Sequence, residues 1–182
     1  MLGTILKNNY QFTLLDLSEN YIGIEGITKL CESFIANRSL ISINFSGNNL
    51  NAECAGLLFD TLKNHSTITE INISNNEKLH KNRIGPRGCN NLIKLLQTNK
   101  VLTILNIAGN AIGNEGMKCI IEGLQGNKTL LSLNLSNNNL PQSCIYSMTP
   151  VLLQSRVCEL ILRHNNLVDR VRIYIIDSRW MI

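Results

Sequence analysis

The sequence predicts an α/β fold, a right-handed solenoid with parallel strands on its concave face and helices on its convex face. The first observation is a phrase, clearest in residues 130–140, in which apolar residues alternate before an asparagine. This phrase recurs with a step of 28 residues from Asn20 to Asn48 and again from Asn48 to Asn76. The second observation is a helical spacing of apolar residues between successive phrases. Together they indicate a horseshoe segment of five to six stacked strand–helix units.

Each phrase is predicted to form a short strand, because residues such as Leu15 and Leu17 alternate with polar neighbours at period 2. The asparagine that ends the phrase is expected to satisfy backbone groups where the strand turns. These signature asparagines are Asn20, Asn48, Asn76, Asn110, Asn138 and Asn165. The step from Asn76 to Asn110 is 34 residues, so an insertion is expected between the third strand and the helix that begins near residue 84.

Between the phrases, apolar residues are spaced as on one face of a helix. Met117, Ile120, Ile121 and Leu124 fall at i, i+3, i+4 and i+7, which is a single apolar stripe. Three of the helices open with the pattern Ile-Gly-x-x-Gly, at Ile22/Gly23/Gly26, Ile84/Gly85/Gly88 and Ile112/Gly113/Gly116. The turn after each helix carries a polar residue at a fixed place, and these residues include Asn37, His65, Asn99 and Asn127.

A unit of this length with a complete helix resembles the leucine-rich repeat of the ribonuclease-inhibitor class. That class is also found in nucleotide-oligomerization-domain-like receptors, Ran GTPase-activating proteins and tropomodulins. The resemblance covers residues 1–167, which begin in mid-repeat, and rests on the repeated phrase and the Ile-Gly-x-x-Gly helix starts. It implies a shared scaffold whose members differ in their ligands. Residues 168–182 do not continue the repeat and are predicted to form an irregular tail or cap.

Composition narrows the functional classes. The net charge of +4 is modest, and the 6 cysteines contain no C-x-x-C pair, so we expect reduced thiols in a cytoplasmic protein. The sequence has no run of about 18 apolar residues, so no membrane partner is predicted. Aromatic residues are not interleaved with a basic stripe, so no nucleic-acid partner is predicted either.

The sequence has no pattern typical of an enzyme. His65, His80 and His164 are scattered without zinc-ligand spacing, and neither G-x-S-x-G nor H-E-x-x-H occurs. Residues 126–129 contain glycine and Lys-Thr, but they follow a helix and precede a strand, the reverse of a phosphate-binding loop. The sequence therefore predicts no catalytic residue, no metal, no cofactor and no small-molecule substrate.

The predicted concave face is the first candidate binding surface. Outward side chains of parallel strands stack in rows about 4.8 Å apart. A row of asparagines dominates this face, and they either offer a polar strip to a protein or hydrogen-bond to one another. Residues that differ from the consensus of the repeat are better predictors of binding specificity. They are Asp16, Glu19, Glu70, Ile104, Glu159, Ile161, Arg163 and His164. The acidic side chains in this group favour a partner with a basic patch.

The inserted loop at the rim is the second candidate surface. Five basic or potentially basic side chains cluster there, namely Lys78, His80, Lys81, Arg83 and Arg87. They form either a solvated basic loop or an anchor for an acidic protein or a phosphate-bearing ligand.

These observations predict a protein-interaction module that binds another protein on the concave face. Two alternatives come from other members of the class. One is a GTPase-activating regulator, although the predicted tail here carries Arg170, Arg172 and Arg179 rather than an acidic run. The other is a structural element associated with the cytoskeleton or the axoneme.

Overall fold

The computed structural model describes residues 2–75 and 81–167. Strands of three residues alternate with helices along this part of the chain. The strands are β1 (Leu14–Asp16), β2 (Ser42–Asn44), β3 (Glu70–Asn72), β4 (Ile104–Asn106), β5 (Ser132–Asn134) and β6 (Glu159–Ile161). The helices are α1 (Leu2–Asn8), α2 (Gly23–Phe34), α3 (Ala52–Leu62), α4 (Gly85–Gly88), α5 (Asn90–Thr98), α6 (Gly113–Leu124) and α7 (Ser143–Gln154).

The strands form one parallel sheet in chain order, from β1 to β6. Equivalent positions of successive repeats lie side by side, so that Leu105 of β4 pairs with Ile71 of β3 and with Leu133 of β5. The chain returns to the start of each new strand through helical segments, as parallel pairing requires. The predicted α/β solenoid of stacked repeats is confirmed.

The core lies between the sheet and the helices. The central residue of each inner strand, such as Leu105, is fully buried, and so are Met117, Ile120 and Leu124 on the predicted stripe of α6. Each fully buried side chain of this kind contributes about 1.5–3 kcal/mol relative to an exposed one. Because every repeat supplies the same inward positions, the core is continuous along the stack.

The signature asparagines form a column that links successive repeats. Oδ1 of Asn138 accepts hydrogen bonds from the backbone N–H groups of Asn110 (2.8 Å) and Ile112 (3.4 Å) in the preceding repeat. Its Nδ2 donates to the backbone oxygen of Ile107, 3.0 Å away. The side chain thus satisfies buried backbone groups that neither strand nor helix can pair. The structural role expected of this asparagine is confirmed.

Asn82 is the third-repeat member of this column, and the prediction of Asn76 was wrong. Oδ1 of Asn82 accepts the backbone N–H groups of Asn48 and Leu50, both at 2.9 Å, and its Nδ2 donates to the oxygen of Phe45. Asn76 lies outside the described residues. The column therefore steps by 34 residues from Asn48 to Asn82. A uniform step of 28 residues predicted Asn76. That prediction failed because the insertion falls before the signature asparagine of the third repeat rather than after it.

The remaining predictions of chain organisation have different outcomes. The first described element is the helix α1, and the helix expected near Ile84 is divided at Cys89 into α4 and α5. The predicted tail or cap, residues 168–182, lies outside the described residues. None of the helices described in residues 2–75 and 81–167 is long and apolar enough to cross a bilayer.

Candidate protein-binding face

The outward side chains of the sheet form two rows on the side opposite the helices, and we call these rows the concave face. Strand pairing places the members of each row next to one another. The first row consists of Leu14, Ser42, Glu70, Ile104, Ser132 and Glu159. The second row consists of Asp16, Asn44, Asn72, Asn106, Asn134 and Ile161.

Within residues 2–75 and 81–167, Asn72, Asn106 and Asn134 of the second row accept hydrogen bonds from their own chain segment rather than bonding to one another. Oδ1 of Asn72 accepts the backbone N–H of Ser74 at 3.0 Å, and Oδ1 of Asn106 accepts that of Ala108 at 3.2 Å. This bond fixes the side chain as the strand ends. In the part of the chain that the structure describes, the Nδ2 groups of Asn72, Asn106 and Asn134 have no acceptor. They are donors open to a ligand.

A groove of about 270 Å³ crosses the concave face from β1 to β4. Leu14, 64% exposed, and Ile104, 39% exposed, present apolar surface within it. Polar side chains lie between them, including Glu70 and the amides of Asn72 and Asn106. The groove therefore combines apolar contact, hydrogen-bond donors and negative charge.

The strand carboxylates of the concave face differ in their bonding. Asp16 accepts hydrogen bonds from the hydroxyl (2.7 Å) and the backbone N–H (2.9 Å) of Ser18, and these bonds lower the pKa of Asp16. Glu159 accepts a hydrogen bond of 2.5 Å from the hydroxyl of Ser132. The half-buried Glu70 carboxylate has neither a hydrogen-bond nor an ionic partner among the described residues.

The structure separates the predicted concave-face residues into three groups. Asp16, Glu70 and Ile104 line the groove. Glu159, Ile161 and the exposed Arg163 belong to β6 and the residues just after it, outside the groove lining. The third group, Glu19 and His164, lies in turns beyond the strands.

The turn positions of Glu19 and His164 have left-handed backbone conformations, with φ of 57° and 56°. Gly47 and Gly109 take the same place in other repeats, with φ of 66° and 73°. Non-glycine residues adopt this region at a cost of about 1 kcal/mol or more. Glu19 and His164 therefore belong to the turns at the edge of the concave face and not to its two rows.

The predicted rim cluster is only partly described. Lys81, Arg83 and Arg87 are exposed around the start of α4. Lys78 and His80 lie outside the described residues. None of the three described basic side chains lines the groove, so the two predicted surfaces are separate.

Leu14 is a groove residue that sequence reasoning missed. It directly precedes the inward Leu15, which is the same place that Glu70 and Ile104 take before their inward residues. The comparison of outward strand positions that selected Glu70 and Ile104 would also have selected Leu14. Leu14 stands at a variable position of the repeat, where Ser42 and Ser132 stand in other repeats.

Residues 2–75 and 81–167 give little support for metal or thiol chemistry. No group of three or more His, Cys, Asp and Glu residues within 2–75 and 81–167 is placed to hold a metal ion. Cys31, Cys54, Cys89 and Cys144 are free and buried. Burial, reinforced by the neighbouring Cys119, raises the pKa of the Cys89 thiol to about 12, which keeps it protonated and unreactive.

Comparison with known proteins adds to this geometry. A family model described as Leucine Rich repeat matches residues 98–120, which run from the end of α5 through β4 into α6. The chain has the leucine-rich repeat fold. Its strand–helix units agree with the ribonuclease-inhibitor-like class that the sequence predicted.

Relatives of this leucine-rich repeat chain include a human protein, NACHT, LRR and PYD domains-containing protein 13. The two are 30% identical over 76 residues, which is 42% of this chain and 7% of that protein. The chain thus spans a small part of the length of the curated relative that it matches.

Two solved structures share the leucine-rich repeat fold over most of the chain. Leiomodin-1 Actin-Binding Site 2 has a TM-score of 0.70 at 20% identity, covering 84% of this chain and 86% of that one. The tropomodulin C-terminal domain of Caenorhabditis elegans has a TM-score of 0.63 at 14% identity, with coverages of 84% and 89%. At these identities the likeness establishes the fold alone.

Proposed function

We propose that this chain is a protein-binding module that engages a partner on its concave face. The observation that carries the proposal is the row of open amide donors on Asn72, Asn106 and Asn134 beside a groove that also presents apolar surface. The sheet holds these groups in place before a partner arrives, which lowers the entropic cost of binding. Extended concave surfaces of repeat proteins serve this purpose.

The dimensions of the concave face indicate that the partner also contacts the turns at its edge. Six strands about 4.8 Å apart span about 24 Å, and three residues per strand add about 10 Å in the other direction. The resulting area of about 240 Å² is smaller than the roughly 800 Å² that each partner buries in a standard interface. Glu19, Arg163 and His164 at the edge, and the rim residues Lys81 and Arg83, are the nearest candidates for the remaining contacts.

The proposed module acts by binding alone, without a catalytic step or a cofactor. We place it in the cytoplasm, because the free thiols of Cys31, Cys54, Cys89 and Cys144 suit a reducing compartment.

Site-specific photo-crosslinking tests the proposed face. A photoreactive aromatic residue replaces Ile104 in the groove, and the matched control replaces the exposed Glu122 on α6. We expect discrete partner adducts from position 104 and none from position 122, identified by mass spectrometry. Adducts from position 122 alone, or from neither position, would overturn the proposal.

A second candidate function, binding to the actin cytoskeleton, is favoured by one observation. The actin-binding site of leiomodin-1 and the tropomodulin domain cover most of this chain with TM-scores of 0.70 and 0.63. Co-sedimentation with purified actin filaments tests it directly. A chain that stays in the supernatant at all filament concentrations would exclude this candidate and leave the protein-binding proposal intact.

A further inference from the structure

We propose that the groove over β1–β4 recognises a long basic side chain, lysine or arginine, in an extended segment of the partner protein. This inference rests on the proposed function and adds the chemistry of the ligand. Glu70 supplies the charge, Ile104 and Leu14 supply the apolar contact, and the amides of Asn72 and Asn106 supply hydrogen bonds to the backbone of the segment.

Glu70 is the groove carboxylate that lacks a partner among the described residues. Asp16, the other groove carboxylate, is held by Ser18 and by Nδ2 of Asn44 at 3.2 Å. Glu70 is half-buried in the groove wall, yet the described part of the chain offers it no cation and no hydrogen-bond donor. A partly desolvated carboxylate in that state binds an incoming cation more strongly than a fully hydrated one.

The neighbours of Glu70 select a cation that has an apolar stem. In the strand register Glu70 lies between Ser42 on one side and Ile104 on the other. Ile104 and Leu14 leave apolar surface open within a few strand spacings. Lysine and arginine bury their methylene stems on such surface while the charged head reaches a carboxylate. A metal ion or a small ammonium ion would leave this apolar surface uncovered.

The amides beside Glu70 favour an extended segment. Asn72 and Asn106 are side by side in paired strands, and neither Nδ2 group donates to an acceptor in the described chain. Backbone carbonyl oxygens are the complementary groups in an extended peptide. Asp16, roughly 10 Å from β3 by strand spacing, adds negative potential that salt partly screens, because the Debye length is about 8 Å at physiological ionic strength.

Selection from a displayed library of short random peptides tests the inference. We expect the wild-type chain to enrich peptides with Lys or Arg next to apolar residues. Glu70→Gln is expected to lose the basic preference, and Glu70→Lys to exchange it for Asp or Glu. Glu122→Lys makes the same change of charge on the exposed side of α6 and is expected to keep the wild-type preference.

One selected peptide is then tested in a double-mutant cycle with Glu70→Gln. The basic residue of the peptide is replaced by norleucine, which keeps the apolar stem and removes the charge. We expect about a tenfold loss of affinity for the wild type and little loss for Glu70→Gln. Equal losses for both proteins, enrichment without basic residues, or no enriched peptide would each overturn the inference. Adducts at position 104 in those cases would show that protein binding itself stands and that only the ligand chemistry is wrong.

Discussion

At the scale of single residues, hydrogen bonding to buried backbone decides which side chains the repeat requires. In the turn after α5, Oδ1 of Asn99 accepts hydrogen bonds from the backbone N–H groups of Val101 (2.9 Å) and Leu102 (2.8 Å). His65 takes this place in another repeat, with Nδ1 facing the N–H of Ile68 at 3.2 Å and Nε2 facing the oxygen of Asn37 at 3.0 Å. Nδ1 can accept from the N–H groups of Thr67 (3.4 Å) and Ile68 only if it is unprotonated, so the neutral ring is the form that fits.

His65 should make the stability of the fold depend on pH. Burial, with the nearby positive charge of Arg38, lowers the pKa of His65 in the folded state. The unfolded chain therefore binds the proton first as the pH falls. Stability is complete above about pH 6.5 and declines below it, towards the folded-state pKa. The free energy of unfolding, measured by urea denaturation, should fall between about pH 7.5 and about pH 5.5. We expect this loss to be smaller in His65→Asn than in the wild type.

The matched control for this experiment is His164→Asn, which replaces an exposed histidine. Asparagine tolerates the left-handed turn at that position. The control is expected to retain the wild-type dependence on pH. The same acid sensitivity in His65→Asn and in the wild type would contradict the role assigned to His65.

Asn82 should be far more important for stability than its place in the sequence pattern suggests. Asn82→Ala leaves the buried backbone groups of Asn48, Leu50 and Phe45 without their partner. We expect a loss of about 2–4 kcal/mol in the free energy of unfolding, measured by denaturant titration. Asn76→Ala provides the comparison. A larger loss at Asn76 than at Asn82 would show that the regular spacing, and not the hydrogen bonding, identifies the signature asparagine.

At the scale of secondary-structure elements, small residues set how closely neighbouring helices stack. A Cβ atom added to Gly123 of α6 would lie 2.9 Å from Cδ1 of Leu96 and 3.2 Å from Cα of Ile93 in α5. Gly56 in α3 has room, because the nearest atom, Cγ of Asn91, would lie 3.7 Å away. Close packing is therefore required between α5 and α6 but not around Gly56.

The same substitution should have opposite effects at these two glycines. Gly123→Ala is expected to destabilise the protein by about 1–3 kcal/mol, because α5 and α6 must move apart. Gly56→Ala is expected to stabilise it by about 0.5–1 kcal/mol through helix propensity. Urea midpoints of the two variants and the wild type provide the measurement. Two changes of the same sign would contradict this account of the packing.

At the scale of the whole molecule, the stack protects its interior through contacts between neighbouring repeats. Cys54 and Cys89 lie in the continuous core, whereas Cys158 beside β6 is exposed. Because each repeat packs mainly on its neighbours, a buried thiol is reached by reagents only when that stack opens.

Thiol labelling in the native state should separate these cysteines. We expect the fastest-reacting thiol to disappear in Cys158→Ser, with the half-buried Cys119 reacting more slowly than Cys158. Cys31, Cys54, Cys89 and Cys144 should react only at the rate of opening, since burial also raises the pKa of these thiols. Mass spectrometry of the labelled protein assigns each site. Reaction of the four buried thiols as fast as that of Cys158 would rule out a tightly stacked core.

The candidate site was predictable only in part. Glu70, Ile104 and Asp16 were found because they differ from the repeat consensus at outward strand positions. Leu14 occupies the same outward position but was not found, because leucine is also one of the commonest core residues. Glu19 and His164 were assigned to the concave face, but the structure places them in turns at its edge.

The sequence by itself determined the strand–helix alternation, the order of the stack and the side of each element that is buried. These follow from the period of the apolar residues, which is a local property of the chain. Tertiary structure alone decided that Asn82 joins the column, that Asp16 is paired with Asn44, and that Glu70 has no partner among the described residues. Those outcomes depend on contacts between residues 28 to 34 positions apart, and a local period carries no information about such contacts.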